Sequence, residues 1–359
     1  MDRLTVEMYE VHGATWAARR QPERAEEAQA FAGRTPDGAL RADLGCGAGR
    51  YTADLGEPVV ALDAARTMID LCRTAAPGAL LLQADLEALP LRRGSLAGGW
   101  ASMSYLHVPR VRLPLALADL HRASAVGAPV ELRLLGGAHE GPDLSGDDVG
   151  GRFFASWEPH HLVDVLVGAG FSVGAVEVRD EGHGRRTVAR AERASTLADT
   201  VGPGMRLLVC GLNPSVLSAD LGIGFARPGN RFWPAAIAAG AASHLRDPLH
   251  ALHHHGTGMT DIVKRATVAA SSLTDEEYRT GMARVERLCG WLRPKAICFV
   301  GLTGWRTAVD GRAVAGVQPE PFGGVPAYVM PSTSGLNAHA KPADHVAHLR
   351  AALELADSS

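Results

Sequence analysis

Leu207-Leu208-Val209-Cys210-Gly211-Leu212-Asn213-Pro214-Ser215 decides the architecture of the second half of this chain. The apolar run reads as a strand. Gly211 and Pro214 then turn the backbone sharply off the strand end and hold Asn213 at the rim of a sheet. In α/β folds that rim is where ligands bind. Two later runs belong with it: Asn230-Arg231-Phe232-Trp233, and Met330-Pro331-Ser332-Thr333-Ser334-Gly335-Leu336, which leaves a strand expected at 327–330.

Working back toward the N-terminus, Leu40-Arg-Ala-Asp-Leu-Gly-Cys-Gly-Ala-Gly-Arg-Tyr51 reads as a strand, a glycine turn and a helix start. Gly45, Gly47 and Gly49 let a ligand approach the backbone where a side chain would collide. A second strand, 58–62, ends in Asp63, about twenty residues on, where a carboxylate can accept bonds from a ribose diol. A third, 80–84, ends in Asp85-Leu86. Helical patterns at 67–75 and 111–123 alternate with strands such as 130–135, the pattern of a parallel sheet. After a helix at 159–170, strands at 171–178 and 186–192 close the region.

This order, Asp-x-Gly-x-Gly-x-Gly followed by acidic strand ends, resembles the class I S-adenosylmethionine-dependent methyltransferases, type 11-like, over about 9–192. The resemblance implies a Rossmann-like sheet that binds S-adenosyl-L-methionine. Asp43 would face the methionine amino group, and Gly45, Cys46, Gly47 and Gly49 would form the cofactor turn. Asp63 would hold the ribose, and Asp85 with Leu86 would bracket the adenine. The segment 100–108 carries neither an Asn-Pro-Pro-Tyr nor an Asp-Pro-Pro-Tyr loop and no Pro-Cys nucleophile. Ser102-Met-Ser-Tyr-Leu-His107 resembles small-molecule and RNA methyltransferases instead, so the methyl acceptor is expected to be a small molecule or RNA.

Residues 194–204 lack periodicity and end in Gly202-Pro203-Gly204, so the expected domains are 1–194 and 205–359, with 195–204 a linker. From Met205 to about Leu355 the chain resembles the mismatch-specific uracil/thymine-DNA glycosylases of the uracil-DNA glycosylase superfamily. The resemblance rests on Gly211-Leu-Asn-Pro-Ser215, Gly222-Ile-Gly-Phe-Ala-Arg-Pro-Gly-Asn-Arg-Phe-Trp233 and the late Pro-Ser-x-Ser-Gly-Leu loop. It implies an α/β/α sandwich with a parallel sheet, and double-stranded DNA with mismatched or deaminated bases as partner.

Cleaving a base from deoxyribose leaves positive charge on the sugar and negative charge on the base, so a site must align water, accept charge and exclude solvent. The amide oxygen of Asn213 can aim a water at the anomeric carbon, and because Asn does not titrate it positions the water without acting as a base. Gly211 and Pro214 shape the turn, and the N–H groups after Asn213, with Ser215 and the helix start, can take charge from the base carbonyl. Phe225 is placed to stack on the flipped ring, with Asn230 part of the same binding motif. By the resemblance Ser332 and Ser334 bond flanking phosphates, and Gly335-Leu336 enters the vacated stack.

Asp261, in Gly258-Met-Thr-Asp-Ile-Val263, occupies a position that by the resemblance faces the pocket. Ionised, it can accept from the imide N–H of uracil or thymine or the ring N–H of hypoxanthine, or it can polarise the water; the alternative is an N-cap or a solvated carboxylate. No lysine accompanies Asn213 in these loops, so a Schiff base and strand cleavage are not expected, and the glycosylase half needs no cofactor.

Composition sets outer bounds. The 359 residues exceed a usual single domain, 46% are apolar, and no long uncharged run suggests a membrane span. The N-terminus lacks the order of a secretory signal, which makes a cytoplasmic monomer the expectation. Five scattered cysteines fit neither a disulfide scaffold nor zinc, and His253-His254-His255 is expected on a solvated loop without metal. From Met205 on there are 15 Lys+Arg against 12 Asp+Glu, leaving 21 against 27 before it, a balance compatible with a nucleic-acid partner but far below a charge-driven binder. Two other readings stay open: methyl transfer as the main activity with the second half delivering it to nucleic acid, or a damage-binding module that does not cut.

Overall fold

The computed structural model describes every residue except 21, 22, 143, 182, 183, 336, 338 and 339. Leu336, the expected wedge, therefore lies outside the described residues. The chain divides into two compact units, 1–167 with 171–194 and 168–170 with 195–359. Among the described residues no helix is long and apolar enough to cross a membrane.

The first unit runs α1 (Arg3–Ala18), α2 (Ala25–Ala32), β1 (Arg41–Leu44), β2 (Val59–Asp63), α3 (Arg66–Ala75), β3 (Leu80–Gln83), β4 (Gly98–Ser102), α4 (Leu113–Ala123), β5 (Pro129–Gly136), β6 (Glu140–Gly141), β7 (Phe154–Trp157), α5 (Pro159–Gly168), β8 (Phe171–Glu181) and β9 (Gly184–Arg193). The strand order β3-β2-β1-β4-β5 is parallel; β9 then pairs antiparallel with β5, and β8 with β9. The order reverses at β1 and β4, so the loops leaving their carboxyl ends flank a crevice. β1 and β2 are buried along their whole length. The closing hairpin is longer than the expected 171–178 and 186–192, because Arg179, Asp180 and Glu181 continue the ladder opposite Arg186, Arg185 and Gly184, with Glu181 held by Arg24 and Arg133. The helix expected from 111 begins at Leu113, after a 3₁₀ turn over Arg110–Arg112.

The second unit runs β10 (Leu207–Gly211), α6 (Val216–Leu221), α7 (Phe232–Ala239), α8 (Pro248–His255), β11 (Thr257–Asp261), α9 (Asp275–Leu292), β12 (Ala296–Val300), α10 (Leu302–Ala308), β13 (Gly316–Val317), β14 (Ala327–Met330) and α11 (Pro342–Asp357). Its sheet order is β11-β10-β12-β14-β13, parallel except for the short edge strand β13. β10, β12 and β14 are buried throughout and read as apolar runs, whereas β11 is buried with the polar Thr257, Thr260 and Asp261. Leu207, Val209, Cys298 and Met330 pack with Phe232, Trp233, Leu349 and Leu353 in one cluster. On Phe299 the rings of Trp305 and Phe322 meet edge-on.

Two expectations change here. Residues 195–204 are not a free linker: Thr200 and Met259 exchange both backbone hydrogen bonds at 2.8 Å, and Asp199 and Val201 are buried in the second unit. An Asp cannot stay buried without counter-charges, and two cations hold this one. The tract 253–255 is not a loop but the last turn of α8, capped at one end by Asp247 and at the other by left-handed Gly256.

Candidate active sites

The turn after β10 and the loop after β11 are fastened together by main-chain bonds. The Ile262 N–H donates to Gly211 O (2.9 Å), Val263 N–H to Leu212 O (3.0 Å) and Thr267 N–H to Pro214 O (3.1 Å). Asn213 lies between them. Its Nδ2 donates to Thr267 Oγ1 (2.8 Å), Arg265 O (3.0 Å) and Pro214 O (3.2 Å), while Oδ1 accepts no bond from any described residue. An amide with its nitrogen tied to three oxygens has a fixed orientation and a free acceptor. Thr267 was not singled out in the sequence, since only the folded loop brings it to Asn213.

Asp261 ends β11 directly beside Gly211 in register. It is 7% exposed, so it is neither an N-cap nor a solvated carboxylate. Its carboxylate bonds to no described residue, and burial, partly countered by Lys264, raises its pKa to about 6. A Cβ on residue 211 would lie 2.4 Å from Asp261 Oδ1 and 3.5 Å from Phe225 Cζ. Gly211 is thus required for the space it leaves.

Beneath this pair lies a buried ion network. Asp199 accepts from Arg284 Nη1, Lys264 Nζ (both 2.8 Å) and Thr260 Oγ1 (2.7 Å), and these contacts hold its carboxyl below the usual range against burial. Arg284 Nη2 continues to Thr260 Oγ1 and to the carbonyl of Asp261 (2.8 Å). Lys264 corrects the expectation of no lysine near Asn213: its backbone lies in the neighbouring loop, but Asp199 holds its ammonium. The available signal was an arginine beside the apolar stripe Tyr278, Met282, Val285 and Cys289 of α9.

The other expected site residues also make contacts within the protein. Ser215 is the N-cap of α6, its Oγ accepting from the Ser218 N–H at 3.2 Å, so the hydroxyl is already committed to the helix. Asn230 Oδ1 accepts from the Phe232 N–H at 2.9 Å, and Phe232 and Trp233 are core. Arg231 N–H donates to Thr333 O (2.9 Å) and Nη1 to Ala340 O (2.7 Å), tying this motif to the late loop. There Ser332 Oγ accepts from the Ser334 N–H at 3.3 Å, and exposed Gly335 sits against Gly229, whose carbonyl a Cβ would approach to 3.0 Å. Phe225 is half-buried, stacked on Phe232 at 4.1 Å and 22°, with φ at +56°. A bulky residue in that left-handed region is strained, as residues at binding sites often are.

The first unit holds a cavity of about 490 Å³ over the carboxyl ends of β1, β2 and β4. Asp43, Gly45, Cys46, Gly47 and Asp63 line it; Gly49, Asp85 and Leu86 do not. Gly49 is there for packing, since a Cβ would meet Cys72 Sγ at 2.8 Å, and Leu86 is buried core. The carboxylate of Asp85 receives the Met1 ammonium at 2.7 and 2.6 Å. Asp43 accepts from Thr52 Oγ1 (2.6 Å), and burial raises its pKa to about 7. Asp63 accepts from the N–H groups of Gly47 and Ala65, both at 2.9 Å, and burial raises it to about 6. In the same lining Tyr9 accepts from Arg152 Nη1 (2.8 Å) and meets His107 Nε2 at 3.1 Å.

A uracil DNA glycosylase superfamily model matches residues 198–354, and a methyltransferase-domain model matches 42–127. The chain joins a uracil DNA glycosylase superfamily domain to a methyltransferase domain. Solved structures similar to it include a SAM-dependent methyltransferase of Methanosarcina mazei (18% identity, 45% of this chain and 95% of that one, TM-score 0.41). Another is the 1,6-didemethyltoxoflavin-N1-methyltransferase of Burkholderia thailandensis (17%, 53% and 88%, 0.42). A third is a possible histamine N-methyltransferase of Thermotoga maritima (18%, 53% and 99%, 0.42).

The methyltransferase domain's residues suit S-adenosylmethionine. Gly47, at φ +53°, has open space where a Cβ would project, which leaves a cradle along the turn. Ser104, 4% exposed and lining the cavity, has a hydroxyl without a partner, and such a group is costly unless a ligand meets it. Nothing in one sequence marks that hydroxyl.

Proposed function

We propose that the second domain is a monofunctional DNA glycosylase that hydrolyses the N-glycosidic bond of uracil- or thymine-type bases in mismatched or deaminated DNA, and that the first transfers methyl groups from S-adenosylmethionine. The observation that carries the glycosylase reading is the Asn213 amide, its nitrogen tied to three oxygens and its own oxygen free, beside the buried, unpartnered carboxylate of Asp261.

The reaction proceeds on a base drawn out of the stack, at a cost of a few kcal/mol that is least at a mismatch. Asn213 Oδ1 accepts from a water and aims its oxygen at the anomeric carbon. As the C–N bond breaks, its electron pair leaves with the base and the sugar becomes cationic. Charge decides between the two roles for Asp261. An anion facing the departing base would oppose its charge, whereas near the sugar it stabilises the cation and takes the water's proton. Asp261 therefore works on the water, which leaves the base edge permissive and extends the substrates to hypoxanthine. Phe225, backed by Phe232, offers a ring for stacking, worth roughly 1–3 kcal/mol. With Lys264 held by Asp199, no free amine reaches the sugar, and the product is an abasic site.

In the first domain Asp43, Gly45, Gly47 and Asp63 would hold S-adenosylmethionine, which supplies an electrophilic methyl group when bound. Asp43 and Asp63 face a cationic ligand with carboxylates that burial otherwise penalises.

A U·G duplex cleaved with alkali after incubation tests the glycosylase. Wild type should give alkali-labile sites and Asn213→Ala at least about tenfold fewer per unit time, about 1.4 kcal/mol of barrier. Intact duplex with wild type would end the reading. Calorimetric binding of S-adenosylmethionine that is lost in Asp63→Ala tests the other half.

A further inference from the structure

The methyltransferase cavity that Asp43 and Asp63 line is also rich in cations and hydrogen-bond donors. Six arginines line it, against Glu23, Asp147 and Asp148 outside the cofactor turn. Four are neutralised, Arg20 by Asp148 at 2.8 Å, Arg24 by Glu181 at 2.6 Å, Arg152 by Asp147 and Arg186 by Glu181 at 3.9 Å, and Arg19 is exposed to solvent. Arg50 is different. No described carboxylate lies within ion-pair distance of it, its one hydrogen bond is a long 3.5 Å contact to Ala17 O, and burial pushes its pKa down. A half-buried guanidinium without a counter-ion costs free energy unless a ligand supplies the charge.

Unsatisfied donors gather around it. The Trp16 Nε1–H is buried without an acceptor, and so is Arg20 Nε–H. Arg50 lies 5.0 Å from the Trp16 ring and Arg20 5.4 Å. Tyr9 meets the Trp16 ring edge-on at 5.4 Å, and Arg152 lies over Tyr9 and Phe154 at 5.2 Å each. Buried donors in native proteins nearly always find partners, so two orphaned donors beside a guanidinium without a counter-ion describe what is meant to enter: an acceptor-rich group attached to a flat apolar body. Of the two acceptor classes expected from the sequence, a cavity of about 490 Å³ that also has to seat the cofactor suits a small molecule, such sites running roughly 300–1,000 Å³.

We propose that Arg50, Trp16 and Arg20 form the binding site for the methyl acceptor, and that this acceptor is a small aromatic anion, its carboxylate or phosphate on Arg50 and its ring among Trp16, Tyr9 and Phe154. The inference rests on the methyltransferase reading of the first domain and narrows its acceptor.

The test is calorimetry on the full chain saturated with S-adenosylhomocysteine. Benzoate, indole-3-carboxylate and phenyl phosphate are titrated beside benzamide and indole-3-carboxamide. At least one acid should bind about tenfold or more tightly than its own amide, equivalent to about 1.4 kcal/mol. Arg50→Gln, checked for folding by circular dichroism, should erase that preference, and Arg50→Lys should retain most of it. Equal affinity of acids and amides, binding of no acid, persistence of the preference in Arg50→Gln, or tighter binding of a single-stranded RNA than of any acid would overturn the proposal. If S-adenosylhomocysteine itself fails to bind, the methyltransferase reading falls first.

Discussion

Adding a single methyl group at residue 211 tests the geometry of the glycosylase site directly. In Gly211→Ala the new Cβ would stand 2.4 Å from Asp261 Oδ1, about 1 Å inside ordinary contact, and 3.5 Å from Phe225 Cζ, which is tolerable. The carboxylate must therefore move by about 1 Å. It has no hydrogen bond to lose, so the stability cost is overpacking alone, about 1–2 kcal/mol, or roughly 2–8 °C in the melting of this domain. Function should suffer more, because a 1 Å displacement of a reacting group can cost about 100-fold in rate. The assays are thermal unfolding and single-turnover base release from a U·G duplex, each run as a double-mutant cycle with Asp261→Ala. Truncating Asp261 removes the clash, so Gly211→Ala should cost almost nothing in that background. If the melting penalty is the same whether or not Asp261 is present, the two side chains do not compete for space and the reasoning fails.

Other outcomes follow from the same contacts. Asp261 carries a pKa raised to about 6 against about 3.9 unfolded, so its favourable contribution is complete below about pH 4 and lost as pH rises through 6. Between pH 4 and 7.5 wild type should thus lose about 3 kcal/mol relative to Asp261→Asn, measured by urea unfolding, while base release rises to a plateau above pH 6 in wild type only. Arg284→Met leaves Asp199 with Lys264 as its one remaining cation and strips the Asp261 carbonyl of its donor, which should cost about 3–5 kcal/mol by the same measurement. Gly47→Ala should melt within a few degrees of wild type yet bind S-adenosylmethionine poorly in calorimetry, because its Cβ enters open cavity. Gly49→Ala should do the reverse, losing stability through contact with Cys72 Sγ.

Much of both sheets could be read from the chain because their central strands are buried on both faces. Leu207–Gly211 and Ala296–Val300 admit no polar interruption before their ends, so an apolar run closed by glycine marks strand and rim together. Asn213, Asp43 and Asp63 stood out as candidates for the same reason, each being a polar residue at or near the end of such a strand. Ser215 and Asn230 were harder to judge, since a hydroxyl or amide after a turn reads alike whether it caps a helix or meets a ligand. Asp199 and Arg284 lie 85 positions apart in the chain, and Thr267 and Asn213 54. A long-range pair of this sort has no local period and becomes visible only when the strands bring it together. Residues 195–204 misled for a related reason, because a single bridge to Met259 leaves no repeating pattern.

The division of labour within residue 261 has a consequence for adaptation. Its main chain anchors Arg284 and completes β11, whereas its side chain is bonded to nothing. Those two halves can therefore evolve separately: exchanging the side chain retunes the chemistry above the sheet while the foundation beneath stays in place. Position 261 is the natural first choice for a library that retunes the proposed water activation and its pH dependence, since variants there inherit an intact scaffold.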